Sequence, residues 1–347
     1  MIGPIAIAVS GGIDSLVSAC LLKQQGIQTF GLHFLTGYET TVDPPYEKIH
    51  ALGRQLGMPI TVIDLKAQFK ARVVDYFTAA YQIGKTPNPC LVCNPAIKFG
   101  ALLAQARKLG ASHLATGHYA RVEADPRGRY RLRRGLDEKK DQSYFLSRLD
   151  QDQLARAIFP LGVLTKDQVR ALAAKQGLQP LTRQESQDVC FIRDSTYADF
   201  LIRHSAFHPL PGDIVDTVGN RVGIHSGLHQ YTVGQRRGIN CPASQAYYVI
   251  RIDTRFNRLV VGFKDEQHAT GCRVTDINWI AGVPEGPLAV DTRIRYRHRA
   301  VPARVSPLGQ SSAEVKFDQP QTAVTPGQGA VFYRGDEVLG GGWIENS

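Results

Sequence analysis

Two cysteines stand close together in a stretch that prolines stiffen. Cys90 and Cys93 follow the Thr86–Pro89 stretch and precede a predicted helix. The two prolines restrict the backbone and lower the entropic cost of holding a reactive group in place. A thiolate near a helix N-terminus, with Lys85 and Lys98 close in sequence, is expected to have a depressed pKa. The stretch therefore predicts a pair of reactive thiols.

The remaining cysteines divide into one candidate and three isolated residues. Cys190 lies in the Ser186–Ile192 stretch, whereas Cys20, Cys241 and Cys272 are isolated in predicted helix or strand segments and are expected to be inert. Six cysteines are too few for a secreted disulfide scaffold of 347 residues. In a reducing compartment, close pairs are typical of metal binding or sulfur chemistry. A structural zinc site normally needs four ligands, which makes it the weaker interpretation.

A glycine-rich turn follows the first apolar segment. Residues Ala8–Ser15 read AVSGGIDS and lie between a predicted strand and a predicted helix, where backbone N–H groups and the helix dipole can hold a pyrophosphate. Asp14 is a candidate ligand for the magnesium of a nucleotide, and Ser10 and Ser15 are candidate donors to phosphate oxygens. The turn lacks the lysine of a Walker A motif and the spacing of a dinucleotide-binding motif. A strand-to-helix turn without a ligand is the alternative.

The first half of the chain alternates between two kinds of segment. Strands are predicted at Ile5–Val9, Thr29–His33, Ile60–Leu65 and His113–Thr116, and helices at Leu16–Gln25, Tyr46–Leu56 and Ile97–Lys108. This alternation predicts an α/β fold with a parallel sheet and crossover helices. Ligands of such sheets bind at the carboxyl ends of the strands, where the Ala8–Ser15 turn lies.

The second half changes character near Pro209. From Asp150 to His204 the pattern is helical, and Thr165 followed by Gln168 predicts a capping box for a helix that ends at Gly177. Beyond Pro209, turn residues separate short alternating runs, which predict β-rich structure to the end of the chain. The expected domains are residues 1–205, residues 206–270 and residues 271–347.

The charge balance favours a polyanionic partner. With 41 Lys+Arg against 31 Asp+Glu, the net charge of +10 suits RNA, DNA or an anionic membrane surface. Arg293–Arg299 alternates cations with other residues, so on a strand its arginines would share one face for phosphates or bases; a solvated strand face is the alternative. Arg121–Arg134 is also basic, with a hairpin tip predicted at Arg127-Gly128. Because neither a signal peptide nor an apolar run of about 18 residues is evident, we expect a cytoplasmic protein without a membrane segment.

Six motifs occur along the chain in an order that resembles one family. They are AVSGGIDS at 8–15, TPNPCLVCNPAIKF at 86–99, ATGHYAR at 115–121, GLD with KDQSYF at 135–145, CFI at 190–192 and AVTPGQ at 323–328. The first resembles the loop of the PP-loop ATP pyrophosphatases, which transfer AMP to a substrate oxygen. The full set resembles the bacterial tRNA-specific 2-thiouridylases, which thiolate the wobble uridine. This resemblance implies a PP-loop (adenine nucleotide α-hydrolase-like) domain, a small β-rich central domain and a C-terminal β-barrel that binds tRNA.

The resemblance also implies roles for individual positions. Cys93 matches the nucleophile of the family, and Cys190 matches the cysteine that carries a persulfide. The nucleotide positions are Ala8, Val9, Ser10, Gly11, Gly12, Ile13, Asp14, Ser15, Phe34 and Gly117. The tRNA positions are Asn88, Pro89, Cys90, His118, Lys140, Asp141, Gln142, Arg295, Tyr296 and Gln328, of which Asn88–Cys90 face the target base. The implied partners are ATP with magnesium, the tRNA anticodon loop, and a sulfur donor such as a cysteine desulfurase or a sulfur-relay protein.

Cys90 departs from the family pattern, in which an aspartate is usual. This difference removes any acid–base role of that aspartate and supplies a third thiol. Three cysteines can bind three irons of a 4Fe-4S cluster and leave the fourth iron open for sulfide, so Cys90, Cys93 and Cys190 are a candidate metal set. The rival is a persulfide on Cys190 that leaves a Cys93–Cys190 disulfide behind. The cysteine at position 90 favours the cluster.

Two other functions compete with thiolation. One is a different PP-loop chemistry, such as amide synthesis on a small metabolite, which needs neither paired cysteines nor a basic β-rich region. The other is a non-catalytic RNA-binding protein that retains the fold. The three cysteines count against the first, and the intact Ser10–Ser15 loop together with the cysteines counts against the second.

Overall fold

The chain divides into two compact units. The computed structural model describes residues 3–39, 46–181, 189–192, 196–204 and 209–345. The first unit comprises residues 1–73, 90–193 and 335–339, and the second comprises residues 74–89, 194–334 and 340–347. The predicted domain boundary between residues 205 and 206 lies outside the described residues. No helix in the described ranges is long and apolar enough to cross a bilayer.

A parallel sheet forms the centre of the first unit, as the alternation of segments predicts. Its strands are β1 (Ile5–Ala8), β2 (Thr29–Leu35), β3 (Ile60–Asp64), β4 (His113–Ala115) and β7 (Ala157–Ile158), in the order β3-β2-β1-β4-β7. Every neighbouring pair is parallel. The central strand β1 buries Ile5, Ala6 and Ile7 completely, as expected for a strand that is covered on both faces. The sequence did not predict β7, because two residues within a helical stretch show no period.

Helices cover this sheet and complete the crossovers. They are α1 (Ile13–Gln24), α2 (Tyr46–Leu56), α3 (Lys66–Phe69), α5 (Pro89–Cys93), α6 (Leu103–Lys108), α7 (Ser143–Leu146), α8 (Gln151–Leu154) and α9 (Lys166–Lys175). Leu16 and Val17 of α1 belong to one buried cluster with Val169 and Ala173 of α9. The capping box at Thr165 is confirmed: its side chain accepts a hydrogen bond from the Gln168 backbone, and the Gln168 side chain accepts one from the Thr165 backbone.

The helix after the prolines begins earlier than predicted. Instead of starting near Ile97, it starts at Pro89, and wide π-helical turns over Asn94–Leu102 join α5 to α6. Pro95 lies inside this helix, and a proline has no N–H to donate and its ring crowds the carbonyl of the preceding turn. A local π-helical turn is one way to relieve this conflict. Both cysteines of the pair therefore lie on a helix and not in a loop before it.

A β-hairpin follows β4 in the first unit. Its strands are β5 (Ala120–Ala124) and β6 (Tyr130–Arg134). The predicted tip is confirmed, because Gly128 adopts φ of 78° in the connecting turn. Arg121 and Arg133 both bind Asp336, at 2.6 and 2.8 Å. Two of the six arginines in Arg121–Arg134 thus share one carboxylate within the protein.

The described part of the second unit includes two α-helices and a small sheet. The helices are α4 (Asp75–Gln82) and α10 (Tyr197–His204), and the strands are β8 (Gly212–Val215), β9 (Arg221–His225), β10 (Tyr248–Asp253) and β11 (Arg258–Gly262). The helices meet through aromatic rings, with Tyr81 stacked on Tyr197 at 5.4 Å. The strand order is β10-β11-β8-β9, with β11 and β8 parallel.

A closed barrel follows the small sheet. Its strands are β12 (His268–Asn278), β13 (Leu288–Arg293), β14 (Val301–Pro307), β15 (Ala313–Thr322), β16 (Gly329–Arg334) and β17 (Glu337–Ile344), in the order β12-β15-β14-β13-β16-β17. Pairing of Val274 with Ile344 closes the ring. Inward-facing Val305, Val315 and Phe332 are almost completely buried. The prediction of β-rich structure beyond Pro209 is confirmed.

The basic run at Arg293–Arg299 is not a strand, contrary to prediction. Strand β13 ends at Arg293, and the following residues form a turn in which the His298 N–H donates to the Arg295 carbonyl. The Arg293 guanidinium lies 5.4 Å from the centre of the Tyr296 ring and donates from Nε to the His298 carbonyl. Alternation of charge predicted an extended backbone, but these local bonds favour the turn. Arg295, Arg297 and Arg299 are nevertheless exposed.

The AVTPGQ motif holds the stretch that precedes the cysteines. The Thr86 N–H donates to the Pro326 carbonyl at 2.9 Å, and Gln328 Nε2 donates to the carbonyls of Thr86 and Pro87 at 3.0 and 3.2 Å. Gly327 adopts φ of 86°, and a Cβ there would lie 2.9 Å from the Thr86 oxygen. Only glycine fits this close approach.

We expect Gly327→Ala to destabilise the protein more than Gly335→Ala. Both residues have positive φ, which costs alanine about 1–2 kcal/mol, but only Gly327 meets other atoms within 4 Å. Guanidinium denaturation that is monitored by tryptophan fluorescence measures the two changes. Equal shifts of the unfolding midpoint would contradict the close packing at Gly327.

Candidate active site

The glycine-rich loop lies between β1 and α1, as predicted. Gly11 adopts φ of 84°, and Gly12 is the N-cap residue of α1. Gly117, at the end of the adjacent strand, contacts the first turn of α1 so closely that a Cβ would lie 2.9 Å from the Asp14 carbonyl carbon. The structure thus brings together Ala8–Ser15 and Gly117, which are more than 100 residues apart. Phe34 lies on the neighbouring strand β2, half-buried near its carboxyl end.

The two loop serines bond mainly within the loop. Ser15 Oγ donates to the Gly12 carbonyl at 2.8 Å, and the Gly12 N–H donates to Ser10 Oγ at 3.4 Å. These bonds shape the turn, so the serine hydroxyls are not simply directed at a ligand. The Ser15 and Leu16 N–H groups donate to the Gly12 carbonyl, and the N–H groups before them at the start of α1 retain the capacity to bind an anion.

Asp14 is engaged by two side chains that the sequence analysis did not single out. Lys166 Nζ lies 2.8 Å from each carboxylate oxygen, and the Tyr119 hydroxyl donates to Oδ1 at 2.9 Å. The Lys166 side chain is 7% exposed, whereas Asp14 is 33% exposed. The ion pair therefore places a buried cation beside the phosphate loop, which has no lysine of its own.

Lys166 carried a signal in the sequence. It directly follows the N-cap Thr165, where the partial positive charge of the helix N-terminus disfavours a cation. A buried lysine in that position needs an anionic partner. The position of Lys166 in the sequence could have suggested that it needs an anionic partner. It could not identify that partner as Asp14, which is 152 residues away.

Cys90, Cys93 and Cys190 lie in one neighbourhood of the first unit. The charge of a Cys190 thiolate acts on both other thiols and raises the pKa of each. Cys90 and Cys93 are partly covered, while Cys190 is exposed, and none of the three forms a disulfide in the described structure. The side chain of Phe191 fixes the Cys190 turn, because its ring lies 5.8 Å from the rings of both Tyr38 and Phe69.

The prediction of a depressed thiol pKa is wrong. Burial raises the pKa of Cys90 to about 11 and that of Cys93 to about 12, although Lys98 acts in the opposite direction. Cys93 is the last residue of α5 and does not lie at a helix N-terminus. Lys85, the other expected cation, instead forms an ion pair with Glu345 at 3.0 Å. The resting thiols are therefore protonated at neutral pH.

Lys98 has a fixed orientation because of a buried histidine. Lys98 Nζ lies 3.3 Å from His118 Nε2, and His118 Nδ1 lies 2.7 Å from Thr116 Oγ1. Since an ammonium group only donates, Nε2 accepts and the ring proton resides on Nδ1. Burial lowers the pKa of His118 well below its usual range, with Lys98 adding to the effect. Both ring nitrogens are engaged within the protein, which matches a structural histidine better than a tRNA contact.

Other predicted tRNA residues also prove to be partly internal. Asp141 is 3% exposed, and its carboxylate accepts hydrogen bonds from the backbones of Gly135 and Ser143. Its side chain thus holds the segment in shape, while Lys140 and Gln142 beside it are partly exposed. The assignment of Asp141 to the tRNA therefore stays a prediction, and its carboxylate is occupied within the protein.

The predicted tRNA residues of the second unit differ in exposure. Asn88 and Pro89 are buried, and the Gln328 amide donates to the carbonyls of Thr86 and Pro87. Arg295 is exposed, and Tyr296 is half-buried under the Arg293 guanidinium. Arg295 is therefore the residue of this group that is best exposed to a phosphate.

The side chains that could bind the implied 4Fe-4S cluster differ from those that could bind the implied magnesium ion. Within the described ranges, which include all three candidate cysteines, no group of three or more His, Cys, Asp or Glu side chains is placed to hold a metal ion. As arranged, the thiols do not fit a 4Fe-4S cluster, and the sequence-based preference for one gains no support. Magnesium usually needs only one or two carboxylates in addition to phosphates, so Asp14 fits a nucleotide-borne ion.

Three family models match consecutive parts of the chain. They are the tRNA methyl transferase HUP domain at residues 4–194, the tRNA methyl transferase PRC-barrel domain at 198–263 and the aminomethyltransferase beta-barrel domain at 269–344. The parallel sheet, the small sheet and the closed barrel occupy the same parts. Fold and site together define a HUP-domain protein that carries a phosphate loop and a group of thiols in one unit.

Curated relatives identify the family. The tRNA-specific 2-thiouridylase MnmA of Desulfosudis oleivorans is 54% identical over 98% of this chain and 94% of that protein. The protein of that name from Geotalea uraniireducens is 45% identical over 99% of this chain and 95% of its own length. This chain belongs to the tRNA-specific 2-thiouridylase family and is by class a tRNA sulfurtransferase.

A solved structure resembles this chain only weakly. The U34-tRNA thiolase NcsA from Methanococcus maripaludis with its 4Fe-4S cluster has a TM-score of 0.35 and 19% identity, covering 54% of this chain and 60% of that one. A likeness at this level carries no argument about the site.

Lys166→Met is expected to lower the free energy of unfolding by about 1–3 kcal/mol. Removing one partner of a fully buried ion pair costs about 3–5 kcal/mol, and Asp14 remains partly hydrated. The double variant Lys166→Met with Asp14→Leu should recover most of the loss, because no unpaired charge remains. Urea denaturation of the wild type, Lys166→Met, Asp14→Leu and the double variant gives the coupling energy between the two side chains. An additive double variant would show that the ion pair is not energetically significant.

We expect the alkylation rate of Cys93 by iodoacetamide to rise about tenfold per pH unit from about pH 7 to about pH 9.5 without a plateau. The reason is that a pKa of about 12 keeps the thiolate a small fraction throughout. Lys98→Met should slow the reaction at every pH, since Lys98 lowers this pKa. Lys108→Met, on the same helix, is the control. Peptide mass spectrometry resolves the site, and a plateau below about pH 9 would contradict the raised pKa.

Proposed function

We propose that this enzyme thiolates the C2 position of the wobble uridine of tRNA and uses ATP to activate the uracil carbonyl. The observation that carries this proposal is the proximity of three thiols from distant parts of the chain, in the unit that also contains the phosphate loop. The names of the curated relatives support tRNA as the substrate. Within the fold we propose domains at residues 1–205, 206–270 and 271–347.

Activation is needed because oxide is a poor leaving group. Attack of the uracil O2 on the α-phosphorus of ATP would form a C2–O–AMP bond and release pyrophosphate. The N–H groups at the start of α1 are suited to the departing pyrophosphate, and Lys166 provides a cation beside them. Asp14 would hold the magnesium that accompanies the nucleotide, which reduces the charge repulsion between phosphates. Phe34 and Gly117 would flank the nucleotide.

Sulfur transfer from Cys190 to the activated base is the second step of the proposed reaction. A persulfide on Cys190 attacks C2 through its outer sulfur, and AMP leaves with the C2–O electron pair. The Cys93 thiolate then attacks Cys190 Sγ, so that the sulfur remains on the base as a thiocarbonyl. The two cysteines become oxidised to a disulfide, and an external thiol must reduce them before the next cycle. Cys190 is exposed, which suits loading by a cysteine desulfurase or a sulfur-relay protein.

Recognition of the tRNA requires single-stranded geometry. A wobble base must leave the stack of the anticodon loop to reach a partly covered thiol, as in other enzymes that act on extruded bases. We assign contacts with the RNA to Lys140 and Gln142 in the first unit and to Arg295 in the second. The Asn88–Cys90 stretch would face the base, and its orientation depends on the hydrogen bonds from Gln328.

The decisive experiment measures 2-thiouridine on an unmodified wobble-uridine tRNA with ATP, magnesium and a sulfur source under anaerobic conditions. Cys93→Ala, Cys190→Ala and Asp14→Ala should each lower the rate at least about a hundredfold. Cys241→Ala, in the loop between β9 and β10, is the control. Near-wild-type rates for Cys93→Ala or Cys190→Ala would contradict the proposed sulfur path.

Cys90→Asp separates the two sulfur carriers. This variant restores the residue usual in the family and removes the third thiol. If the persulfide route operates, Cys90→Asp remains active and iron-free enzyme is fully active. If a 4Fe-4S cluster carries the sulfur, activity appears only after reconstitution with iron and sulfide, and Cys90→Asp abolishes both activity and the absorbance of the cluster.

A further inference from the structure

One short segment forms hydrogen bonds with both Lys166 and Tyr119, the two residues whose side chains bind Asp14. This segment, Asp137–Gln142, contains Lys140 and Gln142, which are proposed to contact RNA. It is internally stiff, because the Lys140 N–H donates to the Asp137 carbonyl at 3.0 Å and the buried Asp141 carboxylate binds the backbone on both sides. A displacement of the segment would therefore move its two ends together.

The first end of the segment reaches the phosphate loop through Lys166. Asp137 Oδ2 accepts a hydrogen bond from the Lys166 backbone N–H at 2.9 Å, and its Oδ1 accepts one from Lys139 at 3.0 Å. The side chain of Lys166 binds both carboxylate oxygens of Asp14. Asp137 thus fixes the start of α9, from which Lys166 extends to the loop.

The second end reaches the same carboxylate through Tyr119. Gln142 Oε1 accepts from the Tyr119 N–H at 3.1 Å, and the Gln142 N–H donates to the Tyr119 carbonyl at 2.9 Å. One residue thus holds the peptide groups on both sides of the tyrosine. The tyrosine is 2% exposed, so its ring cannot turn independently, and its hydroxyl donates to Asp14 Oδ1.

We propose that Tyr119 and Lys166 are positioning residues that couple RNA contact at the Asp137–Gln142 segment to the state of Asp14 in the phosphate loop. This inference rests on the proposed function, since it assumes that tRNA and a nucleotide both bind. RNA phosphates near Lys139 and Lys140 attract the segment, and its displacement loosens the two contacts that hold the Asp14 carboxylate. The carboxylate is then released to a magnesium ion, and the Lys166 cation to the phosphates.

Reciprocity gives this coupling a measurable form. If tRNA tightens nucleotide binding by some factor, the nucleotide must tighten tRNA binding by the same factor, because binding free energies are linked. Couplings of this kind are typically about 5- to 150-fold. Coupling would restrict ATP cleavage to enzyme that already holds its RNA.

The test is binding of an α,β-methylene ATP analogue with magnesium, measured with and without unmodified tRNA, together with the converse titration. The analogue resists cleavage at the bond that activation breaks, so binding is measured without turnover. In wild-type enzyme the two titrations should give the same ratio, at least about fivefold. In Tyr119→Phe, which removes only the hydroxyl, the ratio should fall at least about threefold. On a logarithmic scale this is about half of a tenfold coupling. Adding Asp137→Ala should bring it to about one.

Tyr130→Phe is the matched control, because Tyr130 bonds to Gln151 through its backbone. Its ratio should equal that of the wild type. A wild-type ratio of one, or an undiminished ratio in both Tyr119→Phe and the double variant, would overturn the coupling while leaving thiolation intact. If wild-type enzyme bound neither tRNA nor the analogue, the proposed function itself would fail, and the inference with it.

Discussion

The ion pair between Asp14 and Lys166 is the interaction on which the arrangement of the first unit depends. It joins the first turn of α1 to the first turn of α9, two helices that share one buried cluster, and the hydroxyl of Tyr119, the residue before β5, binds the same carboxylate. A lysine that is 7% exposed is stable only with an anionic partner in good geometry. The same contacts fix the phosphate loop, so the packing of the domain and the geometry of its candidate site have one origin.

The thiols follow a different physical logic. Burial keeps Cys90 and Cys93 protonated, and Lys98, which His118 holds in place, opposes that effect only in part. A protonated thiol is a poor nucleophile but also resists oxidation and stray alkylation. The exposed Cys190 is held by Phe191, so a thiol that can be reached from solvent lies in the same unit as thiols that are partly covered. This contrast in exposure suits a relay better than three equivalent ligands.

The C-terminal region has a structural role as well as a charge. Its AVTPGQ motif forms three hydrogen bonds with Thr86 and Pro87, immediately before the cysteine-bearing helix. Two prolines already restrict that stretch, and the close approach of Gly327 removes most of its remaining freedom. Two motifs that are 240 residues apart in sequence thus form one structural element of the second unit.

The sequence by itself determined the parallel sheet, the loop between β1 and α1, the capping box at Thr165 and the β-rich second half, because each depends on a local period or on a turn residue. It also located the three cysteines. Only the tertiary structure decided the partner of Asp14, the raised pKa of Cys93, the burial of Asp141 and the turn at Arg293–Arg299. Those properties depend on burial and on contacts between residues that are distant in sequence, and no local pattern encodes such contacts.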